Sequence, residues 1–410
     1  MSPLAQDAGM LSGNATAPKS SSAGTASIPR SLTVDPMSRF VSIETIGTGA
    51  FGSVKLVHEV HTKKMLAMKC LKRRNINKYL EAEIVNHSML RHPHIVQFKE
   101  VFLTSEHVCI VSTAKTPRTH QPPGQTTVTH PPGHTASRTH SPAWHTRWEA
   151  YRLAHPCTIQ GFSQTLNPWL TLLQVMEYAN GGSLFDLVRT QKRLKETQAR
   201  WFIQQLVLSL DYMHRKGIAN RDIKLENCLL QNEEGLPYPL LKICDFGYSK
   251  ADFRSAAKSQ APEVIKSRGH YDAKHADVWS TGVVLYIMLY GKYPFDLDDS
   301  VEVAESTRSQ MMLQAMEKER YDLSPHVLTS LECTDFLKRL LKPDPAKRLT
   351  LQGILQHPWF LKKLPPHAQE MNDYYTALPL PEEHQQPEHI RALLEGGRKE
   401  TAAALGMPSK

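Results

Sequence analysis

The sequence is poor in cysteine and has no long apolar run. Its six cysteines are scattered over 410 residues without a CxxC pair, as expected of a protein in a reducing compartment. No apolar run reaches the roughly 18 residues that a membrane-spanning helix requires, and residues 1–30 contain no apolar signal core. We therefore expect an intracellular protein without a membrane anchor, located in the cytoplasm, the nucleus or both.

A concentrated basic surface is also missing. The net charge is +9, but the excess is spread along the chain, and no basic stripe with interleaved aromatic residues stands out. We therefore predict no nucleic-acid partner, and binding through an arginine- and histidine-rich segment at residues 112–174 is the alternative. The hydrophobic content of 40% and the charged content of 22% predict a folded, soluble core.

Composition divides the chain into three parts. Residues 1–36 are rich in Ser, Ala, Gly and Thr, which predicts a disordered N-terminal tail. Residues 37–360 carry the periodic apolar patterns of a folded domain, including a predicted strand over Ile95–Thr104 and predicted helices over Trp201–His214 and Asp277–Leu289. Residues 361–410 form a tail that we interpret as regulatory. The tail contains one short amphipathic stripe, made of Ile390, Leu393 and Leu394. This short helix either docks on the folded domain or stays solvated.

An insertion interrupts the folded domain. Residues 112–174 are rich in threonine, proline and histidine, and their Pro-Pro pairs predict an unstructured segment. The histidines lack the fixed spacing of a metal site. The insertion separates Val108–Val111 from Val175–Tyr178, and the family resemblance given below implies that these form one strand leading to a hinge at about residues 175–180. Leu170–Met176 could take the place of the lost strand, and whether the insertion is a natural loop extension or a translated intron stays open.

Two polar motifs carry the chemistry. The first is Asn220–Asn227, and the second, a short strand later, is an Asp-Phe-Gly triplet that begins at Asp245. In the first motif Asp222 can accept the proton of an attacking hydroxyl, and Lys224 can neutralise charge on a moving phosphoryl group. Asn227 and Asp245 offer the hard oxygen ligands that magnesium prefers. Together the two motifs predict phosphoryl transfer with magnesium.

A glycine-rich segment precedes these motifs. An alternating strand from Phe40 to Ile46 leads into it, and a second strand to Glu59 follows it. This order favours a hairpin that covers phosphate groups rather than a dinucleotide-binding turn, because a helix would follow such a turn. Glycines let the backbone approach a nucleotide and offer N–H groups to it. The predicted nucleotide-binding residues are Gly47, Thr48, Gly49, Ala50, Phe51, Gly52, Ser53 and Val54.

A lysine in an apolar strand follows the glycines. Lys69 lies in a predicted third strand, Leu66–Leu71, where an ammonium group needs a partner. The partner should lie on a helix over about Lys78–Leu90. Glu81 and Glu83 both lie on this helix, and the family resemblance given below implies Glu83.

In this order and spacing the motifs resemble those of eukaryotic serine/threonine protein kinases. Lys224 in the Asp-x-Lys-x-x-Asn pattern favours this class over tyrosine kinases. A closer resemblance is to the plant SNF-related kinases of the second subfamily, which are activated by stress and abscisic acid; a calcium/calmodulin-dependent type fits less well. The resemblance is carried by Leu225-Glu226-Asn227, Leu241–Lys250, Tyr271–Ser280 and Tyr293-Pro294-Phe295.

The resemblance implies a fold, a reaction and partners. The fold class would be α+β, a bilobal kinase fold with a small antiparallel β-sheet lobe that contains one main helix and a large, mainly helical lobe. The enzyme would use ATP and Mg²⁺ to phosphorylate serine or threonine in proteins, with a preference for basic residues upstream. It would be a monomer in stress signalling, activated by an upstream kinase and inhibited by a phosphatase at the C-terminal region.

The resemblance also assigns roles to residues. Lys69, paired with Glu83, would hold the α- and β-phosphates of ATP. The adenine side of the site would consist of Ala67, Met176, Glu177 and Ala179. The catalytic roles given above would belong to Asp222 and Lys224, and the metal-binding roles to Asn227 and Asp245. In the large lobe Arg348 would form a buried ion pair with Glu263.

Two departures from the kinase pattern bear on activity. Asn220 stands where most kinases have histidine, but asparagine keeps a donor and an acceptor, so we expect a modest effect. The loop between Gly247 and Ala261 is short. Ser255–Ser259 matches a phosphorylated stretch, but Gln260 alone replaces the run that shapes the substrate groove. The alternative function is therefore a nucleotide-binding pseudokinase or scaffold with impaired catalysis.

Overall fold

The computed structural model describes residues 36–49, 52–104, 171–246, 258–267, 270–296 and 304–404. The predicted N-terminal tail up to residue 35 lies outside these ranges. So do Ala50 and Phe51 of the glycine-rich segment, residues 112–170 of the insertion, and residues 247–257 of the short loop.

The small lobe is built on a five-stranded antiparallel sheet. Its strands are β1 (Phe40–Gly49), β2 (Gly52–Glu59), β3 (Met65–Lys72), β4 (Phe98–Thr104) and β5 (Thr171–Glu177). Their spatial order is β1-β2-β3-β5-β4, so the first three predicted strands are confirmed. The strand predicted from Ile95 begins only at Phe98, because Ile95 instead forms a parallel bridge with Ile243 of the large lobe.

The strand beyond the insertion is rebuilt by the residues at the end of that insertion. β5 starts at Thr171, so the insertion predicted to end at Gln174 is four residues too long. Leu172, Leu173 and Val175 are fully buried between β3 and β4. Burial of each such side chain contributes roughly 1.5–3 kcal/mol, which explains why these residues join the sheet.

One helix, α1 (Lys78–Ser88), packs on this sheet. Asn77 caps its N-terminus, and the Asn77 side-chain oxygen accepts hydrogen bonds from the backbone N–H groups of Tyr79 and Leu80. Ile84 and Val85 are buried in the core that α1 shares with the sheet. The helix ends two residues before the predicted end at Leu90.

The large lobe is mainly helical. Its helices are α2 (Leu184–Gln191), α3 (Glu196–Arg215), α4 (Pro262–Lys266), α5 (Ala273–Tyr290), α6 (Glu305–Glu317), α7 (Leu331–Leu340), α8 (Leu351–Leu355) and α9 (Pro358–Leu361). A two-stranded antiparallel sheet, β6 (Cys228–Gln231) and β7 (Leu240–Ile243), lies beside them. The helices predicted over Trp201–His214 and Asp277–Leu289 are confirmed as parts of α3 and α5, and α5 is buried along most of its length. The α+β, bilobal kinase fold is therefore confirmed.

A buried ion pair ties two distant parts of this lobe together. Arg348 donates to both carboxylate oxygens of Glu263, at 2.6 and 2.8 Å. Its guanidinium also bonds the carbonyls of Lys342 and His275 and lies 5.1 Å from the ring centroid of Trp279. The predicted pair is confirmed, and all the polar groups of a fully buried side chain gain partners.

The C-terminal tail runs from the large lobe to the small lobe. The single short helix predicted for it is corrected to two helices, α10 (Glu370–Ala377) and α11 (Pro387–Ala404). Ile390 and Leu394 of α11 are fully buried in the small-lobe core, so the docked alternative is correct. Two ion pairs beyond the apolar stripe, toward the C-terminal end of α11, account for the greater length: Arg398 to Glu81 at 2.7 Å and Arg73 to Glu400 at 2.6 Å. None of the helices in the described ranges is both long and apolar enough to cross a bilayer.

Three buried histidines between the lobes are held neutral mainly by burial. His92 donates from Nε2 to Asn372 in α10 and accepts at Nδ1 from the amide of His94. His87 similarly contacts Val96 O and the Gln174 amide. Burial is the main cause that lowers the pKa of His92 to about 3 and the pKa values of His87 and His94 to about 4.

These histidines predict acid lability. An unfolded histidine has a pKa near 6.5, so below that pH the unfolded chain binds protons that the folded chain excludes. The free energy of unfolding should fall as pH decreases from about 6.5 to about 4, by up to roughly 1.4 kcal/mol per pH unit for each histidine. Urea titrations across this range measure the slope.

A variant separates this effect from general acid denaturation. His92→Gln keeps a donor and an acceptor but does not titrate, so its stability should depend less steeply on pH. The exposed His367 provides the control, because His367→Gln should leave the slope unchanged. An unaltered slope in His92→Gln would contradict the prediction.

Candidate active site

An ion pair joins the small-lobe sheet to its helix. Lys69 lies on β3 and Glu83 on α1, with Nζ and Oε1 2.8 Å apart. Burial opposes the charge on Lys69, but the carboxylates of Asp245 and Glu83 raise its pKa above the ordinary value. The choice of Glu83 over Glu81 is confirmed, since Glu81 pairs with Arg398 on α11.

Asp222 lies at the centre of a hydrogen-bond network in the loop before β6. Its Oδ2 accepts from Lys224 Nζ at 2.7 Å and from Asn227 Nδ2 at 2.9 Å. Burial raises the pKa of Asp222, against the opposing charge of Lys224. The network fixes the orientation of this carboxylate, and a raised pKa suits a group that must accept a proton.

The two predicted metal ligands flank the β6–β7 pair in the sequence. Asn227 precedes β6 and Asp245 follows β7, and because Cys228 pairs with Ile243 both lie at the same end of this pair. Asn227 uses its amide nitrogen for the carboxylate and the backbone carbonyl of Asp222, which leaves its amide oxygen as the ligand atom. Asp245 has φ 66°, a left-handed backbone that a non-glycine residue adopts only when its surroundings enforce it. Phe246 supplies part of that constraint, because it is buried and stacks on His87 of α1 at 4.6 Å.

Asn220 supplies the rest of the constraint. Its side-chain nitrogen donates to the backbone carbonyl of Asp245 at 3.1 Å, and its side-chain oxygen accepts from the amide of Asp222, also at 3.1 Å. The expected donor and acceptor are therefore both in use. A modest effect of having asparagine here remains a prediction.

Asp277 anchors the catalytic loop, and the sequence analysis did not identify it. Its carboxylate accepts from the backbone amides of Asn220 and Arg221 at 2.9 and 2.8 Å, and from His214 Nε2 at 2.8 Å. Arg221 is held at φ 68°. The available signal was a carboxylate in an otherwise apolar, buried helix, which needs hydrogen-bond partners to be stable there.

An apolar cluster lines the cleft between the lobes beside the hinge. It consists of Val96, Met176, Ala179, Leu229 and Cys244. Ala67 on β3 is fully buried and pairs with Met176. No hydrogen bond between described residues engages the backbone amide of Ala179. An apolar cluster with an unused backbone amide beside it is suited to contact a flat heterocycle with a hydrogen-bonding edge.

The glycine-rich segment closes the hairpin between β1 and β2. Gly49 pairs with Gly52 and Thr48 with Ser53. A Cβ on Gly52 would lie 1.7 Å from the carbonyl oxygen of Cys70 on β3, so only glycine fits there. Gly47 and Val54 also lie in this hairpin, whereas Ala50 and Phe51 fall outside the described residues.

The short loop before Ala261 is described only at its end. Ser255 lies outside the described residues, and Ser259 is buried, with its carbonyl accepting from Ser280 Oγ at 3.0 Å. Lys258 pairs with Asp296 at 2.8 Å. A phosphate on Ser259 would therefore require this segment to move.

The residues present fit a magnesium nucleotide. The Asp245 carboxylate raises the pKa of both Asp222 and Glu83, in addition to the larger effect of burial on each, so carboxylates converge here and a cation would relieve their repulsion. In the described residues no group of three or more His, Cys, Asp or Glu side chains is arranged for a metal. Magnesium typically takes only one or two protein oxygen ligands plus substrate phosphates, which Asn227 and Asp245 could provide.

Glu83→Gln tests the ion pair. An amide cannot compensate the buried charge of Lys69, and a hydrogen bond to a charged group contributes about 1.5–3 kcal/mol. We expect kcat/KM for ATP to fall by about tenfold or more. Glu81→Gln, on the same helix, is the control, and equal activity of Glu83→Gln and the control would contradict the assignment.

The chain matches known kinases over most of its length. The family model described as protein kinase domain matches residues 40–121 and 151–360. Serine/threonine-protein kinase SRK2G of Arabidopsis thaliana is 38% identical over 339 residues, which cover 80% of this chain and 75% of the relative. SRK2H of the same plant is 37% identical over 344 residues, 82% of this chain and 75% of the relative. SAPK2 of Oryza sativa subsp. indica is 35% identical over 376 residues, 88% of each chain.

These matches agree with the geometry. The family uses ATP and a divalent metal, and nothing in the described residues favours the alternative of a catalytically impaired scaffold. The chain belongs to the protein kinase family, as a serine/threonine protein kinase similar to the SRK2 and SAPK kinases of plants.

Proposed function

We propose that this kinase transfers the γ-phosphoryl group of ATP to serine or threonine hydroxyls of proteins, with Mg²⁺ held by Asn227 and Asp245. One observation carries the proposal. Lys224 and Asn227 fix the Asp222 carboxylate by hydrogen bonds. The charge of Asp245 contributes to raising the pKa of Asp222 and those of Lys69 and Glu83, so the two groups of residues face the same point.

The reaction follows from the placement of these side chains. Asp222 orients the substrate hydroxyl and takes its proton while the oxygen forms a bond to the γ-phosphorus and the bond to the ADP oxygen breaks. Lys224, 2.7 Å from Asp222, neutralises the charge on the moving phosphoryl group. When bound, Mg²⁺ offsets the negative charge of the phosphates.

Binding of the nucleotide uses both lobes. Lys69, oriented by Glu83, holds the α- and β-phosphates, and the glycine hairpin offers backbone N–H groups from above. Ala67 and Met176 contact the adenine, and the hinge backbone at Glu177 and Ala179 bonds its edge. The support is the apolar cluster in the cleft and the unused amide of Ala179.

The cellular role is proposed from the resemblance to the plant kinases. We infer a monomeric kinase of the cytoplasm or nucleus that acts in stress signalling on substrates with basic residues upstream of the target. An upstream kinase activates it, and a phosphatase that contacts the C-terminal region inhibits it.

A phosphorylation assay tests the proposed reaction. The full chain is incubated with Mg-ATP and with matched peptides that contain serine, threonine or alanine at the target position, and the products are identified by mass. We expect phosphate on the first two peptides only, and none after chelation of Mg²⁺. Tight Mg-ATP binding without any phosphopeptide would contradict the proposal and favour a nucleotide-binding scaffold.

A further inference from the structure

Glu177, the last residue of β5, is held through three separate groups. Its Oε1 is 2.7 Å from Lys242 Nζ. Its Oε2 accepts from the backbone amide of Gln97 at 3.2 Å, and its own amide donates to the carbonyl of Gln97 at 2.9 Å. With both carboxylate oxygens and the amide engaged, this residue has little conformational freedom.

Lys242 joins this hinge residue to the large lobe. It lies on β7, where it pairs with Leu229 of the apolar cluster, three residues before Asp245. Lys242 is 7% exposed. A buried ammonium group is costly unless it is paired, so the Glu177 carboxylate is required where it stands.

Gln97, the other residue that bonds Glu177, belongs to a loop that is itself hydrogen-bonded to β7. The amide of Val96 donates to Ile243 O, and the amide of Ile243 donates to His94 O, both at 2.9 Å. Gln97 Nε2 donates to the carbonyls of His92 and Ile95. The hinge, this loop and β7 therefore form one bonded unit behind the cleft.

We propose that Lys242 is a positioning residue for nucleotide binding. By holding the Glu177 carboxylate, it fixes the hinge backbone, where the base binds, relative to the strand that leads to Asp245, where the phosphates and metal bind. The inference rests on the proposed function, because it assumes that one nucleotide contacts both places. Without Lys242, the Glu177 side chain, 29% exposed, can turn to solvent, and the hinge loses its direct side-chain connection to β7 and keeps only the indirect one through Gln97.

The test compares Lys242→Met with wild type by the Kd for Mg-ATP, measured by calorimetry, and by KM and kcat at saturating peptide. Because a charge-assisted hydrogen bond is lost, we expect the Kd and KM for ATP to rise by about tenfold with a much smaller change in kcat. Lys242→Arg, which keeps the charge and a donor, should restore most of the affinity.

The matched control is Lys342→Met, which removes an ion pair of similar length, 2.8 Å to Glu319, in the large lobe. It should leave the Kd for Mg-ATP unchanged. If Lys242→Met lowers the melting temperature and kcat but leaves the Kd unchanged, Lys242 is merely structural and the proposal is overturned. The binding measurement does not need turnover. A wild-type chain that binds Mg-ATP but does not phosphorylate peptides would overturn the proposed function alone, and one that does not bind Mg-ATP would overturn both.

Discussion

Asp222→Asn should nearly abolish peptide phosphorylation while leaving the affinity for Mg-ATP almost unchanged. General base catalysis by a positioned side chain typically contributes 10²–10⁴-fold, and we expect kcat to fall by about that factor. The asparagine can still accept the hydrogen bonds of Lys224 and Asn227, so the loop should keep its shape. Single-turnover rates and calorimetric binding of Mg-ATP measure the two quantities separately.

A surface aspartate provides the control for this substitution. Asp373 in α10 is 69% exposed and pairs with Arg215, so Asp373→Asn should leave kcat unchanged. If Asp222→Asn retained wild-type turnover, Asp222 could not be the group that accepts the hydroxyl proton. If it instead lost Mg-ATP binding, its role would lie in the nucleotide site.

Arg348→Met should cause a large loss of stability in the large lobe. Removal of one partner of a buried ion pair leaves an uncompensated charge and typically costs about 3–5 kcal/mol. Here the loss would leave Glu263 without its two charged hydrogen bonds and three backbone carbonyls without the Arg348 donor. Urea unfolding of the variant, compared with wild type, measures the difference in free energy.

The neighbouring lysine is a matched control. Lys347 is 78% exposed and lies 3.8 Å from Asp344, and exposed pairs contribute only about 0–1 kcal/mol. Lys347→Met should therefore barely change the unfolding midpoint. The double variant Glu263→Gln with Arg348→Met should lose less than the sum of its single variants, because the buried carboxylate charge is gone. Additive losses would show that the two side chains do not act as a pair.

Much of the active site could be predicted from the sequence because its chemistry is encoded locally. Asp222, Lys224 and Asn227 lie within six residues, so one loop brings them together whatever surrounds it. Periodicity predicted the strands that carry the glycine hairpin and Lys69, and the large buried helices. The ion pairs of Lys69 with Glu83 and of Arg348 with Glu263 followed from the resemblance to kinases rather than from local pattern.

The tertiary structure decided the contacts between residues that are far apart in the chain. Asp277, which anchors the catalytic loop, and Lys242, which holds Glu177, are 57 and 65 positions from the groups they bind, and nothing near them in sequence indicates those partners. The return of residues 171–174 to the sheet and the docking of α11 on the small lobe depend on the apolar surface that the rest of the fold exposes. Residue type and spacing therefore determined which reaction this chain is suited to. Only the folded chain shows what holds the reacting groups in place, because burial and long-range hydrogen bonds arise between segments that the sequence keeps apart.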